Sequence, residues 1–292
     1  MSPIGLEDLH PKSRTVPAPR ASSRLVRRAV ATPWLVLSIL ILATAVLWAI
    51  APSVFTPFSA IDGRALDRRL APNAIHWLGT DALGRDLLAR IIHGAAETLT
   101  GAAVAVAVGL IIGVAIGVIA GSLPRRIDDL LMRLVDVLLA LPPLLLALSI
   151  VIVLGVGTFH AAIAVGVTSI AKFARLTRSE VIRVRRTDYV EAAFGTGGTF
   201  ATVLVRHVLP NAMTPVLAFA TVQLGSAILL ISTLGFLGLG APPPTPEWGL
   251  LIAEGRNYLA TAWWISTFPG IAVILIVLAT NRLGRALGGT SR

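Results

Sequence analysis

Six apolar runs, each about as long as a bilayer is thick, constrain this chain more than any other feature. They cover residues 34–50, 98–120, 130–154, 161–176, 215–237 and 265–283. About 20 such residues in helical form cross the hydrocarbon layer, so the expectation is an all-α polytopic membrane protein with six transmembrane helices. The fourth run is the shortest, because Lys172 and Arg175 enter its end. The third carries Arg133 and Asp136 early, and its hydrocarbon section is expected to begin near Val137.

Composition agrees, since 55% of the 292 residues are hydrophobic and 14% charged, against about a quarter charged in soluble domains. The absence of cysteine removes disulfides and thiolate metal sites. His10, His76, His93, His160 and His207 include no close HxxxH pair, so no metal site is expected. A net charge of +10 raises the question of a nucleic-acid partner, and the placement of the charges answers it. With the amino terminus inside, 19 of the 25 Lys and Arg fall in the tail, the turn at 122–136, the stretch 172–211 and the carboxyl end. That bias puts both termini in the cytoplasm and needs no nucleic acid.

The organisation expected is a basic cytoplasmic tail (1–32), a first helix with an outer segment (33–97), a five-helix core (98–284) and a short cytoplasmic tail (285–292). The first tail has too little apolar surface to fold alone. Ala49-Ile50-Ala51 has the look of a signal cleavage site, but the run before it is longer than a signal core and Pro52 follows directly. The outer loop 238–264 is longer than a crossing requires. Trp77, Trp248, Trp263 and Trp264 are expected as interfacial anchors, half apolar and half wet.

Within the second run, Gly109, Gly113, Gly117 and Gly121 recur every four residues. Positions four apart stack on one helix face, and a glycine stripe admits a close helix neighbour, in this chain or another. Leu141-Pro142-Pro143 breaks the third run, because proline donates no amide hydrogen. Such a break is sheltered by protein or water: it marks either a kink beside a pathway or a packing kink. Arg133 and Asp136, three apart, are spaced to pair along one helix face near the cytoplasmic boundary. No run carries an acid at mid-membrane, which argues against a gradient-driven carrier.

Between the fourth and fifth runs lies a polar stretch, 188–211, reading DYVEAAFGTGGTFATVLVRHVLPN. Tyr189 to Ala193 predicts a short helix, stopped by Gly195, Gly197 and Gly198. Thr199 is placed to cap a second helix through Val203, Leu204, Val205 and Val208, interrupted at Pro210. Ala192 and Ala193 give the first helix a smooth face for another protein surface.

Glu191-Ala192-Ala193, Gly197 and His207-Val208-Leu209-Pro210-Asn211 resemble the EAA signature of the permeases of ATP-binding-cassette importers. Leu78-Gly79-Thr80-Asp81 with Gly84-Arg85-Asp86 is similar to the outer LGTDxxGRD element of the dipeptide, oligopeptide and nickel branch. Met132-Arg133 with Asp136, Leu141-Pro142, Leu234 to Gly240 with Pro242 to Trp248, and Phe268-Pro269-Gly270 resemble further elements of that branch, in its second, C-type permease. The chain departs from the pattern at Gly195-Thr196, where alanine and leucine are common.

The resemblance implies a type I importer permease architecture in a bacterial inner membrane, moving di- or oligopeptides or a related small cargo. It implies a paralogous permease partner, two cytoplasmic ATPase subunits, an extracytoplasmic substrate-binding protein, and a coupling role for Tyr189, Glu191, Ala192, Ala193, Gly197, His207 and Pro210. ATP and Mg would be held by the partners, because this chain has no GxxxxGK[ST] loop. It is not expected to be an enzyme. A gradient-driven carrier is one alternative. A membrane enzyme using His76, Asp81 and Asp86 on the outer face is the other.

Overall fold

A computed structural model describes residues 33–288, and those residues are helical or irregular, with no strand. The expectations for the tail 1–32 and for residues 289–292 lie outside the described residues. Helix α1 is Pro33–Ile50, α2 Leu87–Ser122, α3 Arg125–Ala140, α4 Pro143–Leu154, α5 Thr158–Arg185 and α6 Asp188–Gly195. Then come α7 (Phe200–Phe236), α8 (Trp248–Gly255) and α9 (Trp264–Gly288).

Five of these are long and apolar enough to cross a membrane: α1, α2, α5, α7 and α9. The third run supplies the sixth crossing only as a bent pair, because α3 and α4 meet at 93°. Leu141-Pro142-Pro143 is the hinge, and the deviation exceeds an ordinary proline kink since two consecutive residues lack an amide hydrogen. With 12 residues, α4 is about 18 Å long, short of a bilayer by itself. Helix α3 buries only Val135 and keeps Leu130, Leu134 and Val137 exposed, so its apolar face is open.

The helices outrun the apolar runs wherever neighbours stabilise polar turns. Residues 87–97, expected as outer segment, form the first three turns of α2, capped by Asp86, whose Oδ1 accepts the Ala89 N–H at 2.7 Å. Pro210 does not interrupt α7. Leu204–Val208 widens into a π-helical turn in which the Leu209 N–H reaches the Leu204 carbonyl, and the helix continues to Phe236. A wider turn makes room for the proline ring that a regular turn excludes.

The core is built on α2 and α5, which run in the same direction side by side. Ideal Cβ atoms at Gly109, Gly113, Gly117 and Gly121 would lie 2.7, 2.5, 2.6 and 2.9 Å from Ser169, Phe173, Thr177 and Val181 or their adjoining backbone. Glycine here lets two backbones approach where any side chain would hold them apart. Both partners advance four residues per step, so the pairing keeps a constant offset along 12 residues. The neighbour of the glycine stripe is therefore inside this chain. Helix α7 packs on both members of this pair, α9 packs on α7, and α1 lies against α2 and α9.

Two of the four tryptophans depart from the belt expectation. Trp77 and Trp263 are exposed, whereas Trp248 and Trp264 are buried and donate their indole N–H to the Ile91 carbonyl (2.9 Å) and the Thr80 carbonyl (3.1 Å). An indole buried with its N–H paired adds packing area at no polar cost.

Candidate functional site

The stretch 188–211, comprising α6, a turn and the start of α7, folds back against the end of α5. Val190, Val203 and Val208 are buried with Val181, Val184 and Ala212, forming a small core of their own. Thr187 precedes α6, and Asp188 and Glu191 lie in its first turn, where the helix dipole favours acids. Gly197 adopts φ +90, so the chain reverses there at a dihedral that side chains avoid. The Gly198 N–H then donates to the Ala193 carbonyl at 3.1 Å, and the Thr199 hydroxyl bonds the Thr202 N–H to start α7.

That geometry separates the expected residues. Tyr189, Glu191, Ala192 and Gly197 are exposed, while Ala193 is half-buried against Gly198, so one alanine and not two faces outward. Phe194 and Phe200 are also exposed, giving an apolar surface flanking Ala192. Tyr189 Oη donates to the His207 carbonyl at 3.2 Å and accepts from Asn211 Nδ2 at 2.9 Å, which ties α6 to the π turn. Pro210 follows that turn, exposed. Arg185 Nη1 donates to the Gly121 and Ser122 carbonyls at 2.8 and 3.1 Å and stacks over Phe200, so the segment is fastened to the end of α2. Arg133 and Asp136 do not pair with one another. Asp136 bonds Arg175, and Asp128 receives Arg178, both from α5, because the bend at 141–143 turns α3 toward that helix.

At the opposite end of the helices, the residues of the LGTDxxGRD element are a buried knot. Asp81 accepts from the Leu83 N–H (2.8 Å), the Arg85 N–H (3.0 Å), Arg85 Nε (2.6 Å) and Arg90 Nη1 (2.7 Å). Both arginines also reach Glu254 at the end of α8. Thr80 Oγ1 accepts the Leu70 N–H and donates to the Asp67 carbonyl. Gly79 and Gly84 have φ +77 and +78, and a Cβ at either would strike backbone, at 2.6 Å from the Leu70 carbonyl and 1.9 Å from that of Arg64. Asp86 adds a contact with His76 Nδ1 at 2.9 Å to its capping bond. His76, Asp81 and Asp86 are thus drawn into bonds that hold the loop rather than converging on one open site.

Sequence reasoning passed over Glu254 and Arg90 as partners and gave Glu247 no role. Glu247 is buried and caps α8, its two oxygens accepting from Gly249 and Leu250 at 2.8 and 2.9 Å. Burial pushes its carboxyl up to about 7, against the pull of those two N–H groups and Thr98, with Glu97 adding to the rise. A Cβ at Gly235 would lie 1.9 Å from Glu247 Oε2, so the glycine is what admits the carboxyl. The sequence offered little signal for this cap, because glutamate is not among the residues favoured at a helix N-cap.

A cavity of 280 Å³ with a largely apolar wall lies between α4, α5 and α7, and Thr168, Ser169, Lys172, Gln223, Ser226 and Thr233 bring polar groups to it. Its signal was polar residues at helical spacing inside two apolar runs. Among the described residues no cluster of three or more metal-ligating side chains occurs.

Comparison with known proteins places this geometry. Residues 113–289 match the family described as binding-protein-dependent transport system inner membrane component. The di/tripeptide transport system permease protein DppC of Pseudomonas aeruginosa is 46% identical over 210 residues, 72% of this chain and 69% of that protein. The probable D,D-dipeptide transport system permease protein DdpC of Escherichia coli is 37% identical over 235 residues, 79% of each. The glutathione transport system permease protein GsiD of Pectobacterium atrosepticum is 36% identical over 252 residues, 86% of this chain and 83% of that one. Among solved structures, a chain of the MetNI methionine ABC transporter in inward facing conformations superposes with a TM-score of 0.56 at 21% identity. It covers 69% of this chain and 97% of its own, a likeness of fold.

Proposed function

This chain belongs to the family of binding-protein-dependent transport system inner membrane components, and from that premise we propose that it is one of two permease subunits of an ATP-driven peptide importer. The cargo class follows the relatives, which are named for di/tripeptides, D,D-dipeptides and glutathione. As a multi-pass inner-membrane protein it needs an energy source from another chain. Gly195-Thr196-Gly197-Gly198, its glycine-rich turn, has no lysine to hold a phosphate. Two cytoplasmic ATPase subunits bind ATP and Mg, a second permease completes the pathway, and an extracytoplasmic protein delivers the cargo. Both termini lie in the cytoplasm on the positive-inside count.

The observation that carries this reading is the exposed face of Tyr189, Ala192, Phe194 and Phe200, backed by the buried valines beneath it. An apolar, firmly backed surface on a polar stretch fits a protein partner. When the ATPase closes, it pushes this face as a unit. The Arg185 bonds to Gly121 and Ser122, and the valines shared with α5, pass the movement to α2 and α5 as a rigid-body shift.

The test is Ala192→Trp in the assembled transporter, reconstituted in vesicles. Ala192 is exposed, so the indole obstructs docking without entering a core. ATP-dependent peptide uptake falls by at least about tenfold, the cost of some 1.4 kcal/mol of docking energy, while insertion is unchanged. Normal uptake by this variant would sink the docking face. Uptake by the wild type that continues without ATP and collapses with an ion gradient would sink the importer reading.

A further inference from the structure

On α5 the Lys or Arg farthest from the Arg185 end is Lys172, and among the described residues it has no counter-charge. On α5, Arg175 and Arg178 are matched by Asp136 and Asp128. Lys172, one turn farther from the cytoplasm, has no carboxylate within ion-pair distance among the described residues. It lies 14 residues from the start of α5 at Thr158, about 21 Å along the helix and so short of the roughly 30 Å that a span must cross. A basic residue at such a depth usually lines an aqueous cavity or a substrate route. Here it lines the 280 Å³ cavity between α4, α5 and α7.

The surroundings suit a polar guest. Gln223 Nε2 donates to Ser169 Oγ at 3.0 Å, fixing the back wall. The Thr168 and Thr233 hydroxyls donate to their own helix carbonyls, Val165 and Leu229, both at 2.7 Å, which leaves their oxygens as acceptors. Ser226 is exposed beside them. Pro143 and Leu144, just past the 93° bend, form the opposite wall. A single ammonium facing several hydroxyls and an amide is complementary to a small molecule with one anionic end and neutral peptide groups. Carboxylate on ammonium is a charge-assisted bond, the strongest polar contact available there.

We propose that Lys172 is a cargo-binding residue of the translocation route, its ammonium receiving the terminal carboxylate of a passing peptide. The assignment rests on the importer reading and deepens it by naming which end of the cargo is read. Free anionic lipid offers a similar charge, and the experiment separates the two.

The chain has no cysteine, so Ser226→Cys places a single thiol of this chain in the cavity of the full transporter, reconstituted in vesicles. Its modification by a sulfonate-bearing and by a trimethylammonium-bearing methanethiosulfonate is read from the mass of this chain. Adding Lys172→Met lowers the sulfonate-to-ammonium rate ratio on the order of tenfold, as loss of a unit charge a few Å away requires, and Lys172→Arg keeps it. Alanylalanine slows the sulfonate reagent and alanylalanine amide does not. A ratio unmoved by Lys172→Met, equal protection by acid and amide, or protection by added anionic lipid alone overturns the proposal. ATP-dependent uptake is measured on the same vesicles: if it is absent while the ratio and the acid-specific protection persist, the importer reading fails and the anion site stands.

Discussion

Replacing Gly113 by alanine places a methyl carbon 2.5 Å from Phe173 Cβ, 2.7 Å from the Ile170 carbonyl oxygen and 3.1 Å from the Ala174 amide nitrogen. None of the three is the free end of a flexible side chain. Carbon atoms rest about 3.5–4.0 Å apart, so α2 and α5 must separate by about 1 Å at this level. Overpacking of a tight core costs about 1–3 kcal/mol, and contacts this short belong at the upper end. Alanine returns about 1 kcal/mol of helix propensity, which leaves a net loss of about 2 kcal/mol. Thermal unfolding in detergent then shifts down by roughly 4–8 °C. Gly195→Ala is the matched control. Nothing lies within 4 Å of its Cβ, so the same chemical change should raise stability by about 0.4–1 kcal/mol. A Gly113→Ala protein that melts at or above the wild type, with an unchanged label-to-label distance between α2 and α5, would refute the close backbone contact.

Glu247 gives a pH dependence whose direction follows from its raised value. Its carboxyl is protonated below about 7 in the fold but below 4.5 when exposed, so its contribution is fully present below 4.5 and lost as pH rises through about 7. The difference is about 3 kcal/mol; melting measured from pH 4 to 8 should fall across that window, and Glu247→Gln should flatten the curve. Asp81→Ala leaves Arg85 and Arg90 with Glu254 as their one acid among the described residues. The expected loss is about 3–5 kcal/mol, read as a collapse of folded yield, with Asp81→Asn losing less because its carbonyl still accepts the loop N–H groups.

The membrane helices were legible because each carries enough apolar length to declare itself, and the short helix at 188–195 because glycines and a threonine cap punctuate it. What stayed hidden depended on partners distant in sequence. Turns 87–97 look like loop until Asp81 and Glu254 neutralise Arg90 and Trp248 covers them. Pro210 reads as a stop, since one-dimensional rules contain no π turn. Asp136 was assigned the nearer arginine in sequence, whereas the bend after α3 delivers Arg175. Lys172 looked like the end of a weak span, and its meaning emerges only with Ser169 beside it on α5 and Gln223 of α7 across the cavity.

The constant offset between α2 and α5 also limits how the molecule moves. With four glycines each nested against backbone, a slide of one residue would drive every one of them into a neighbouring ridge at once. The pair therefore behaves as a single beam. Helix α2 alone is 36 residues, about 54 Å from end to end. Arg185 grips one end through the Gly121 and Ser122 carbonyls, and the Asp81–Arg90–Glu254 knot grips the other. A displacement applied beneath the membrane thus arrives above it as a tilt rather than dissipating along the way, so the two faces of the bilayer share one lever.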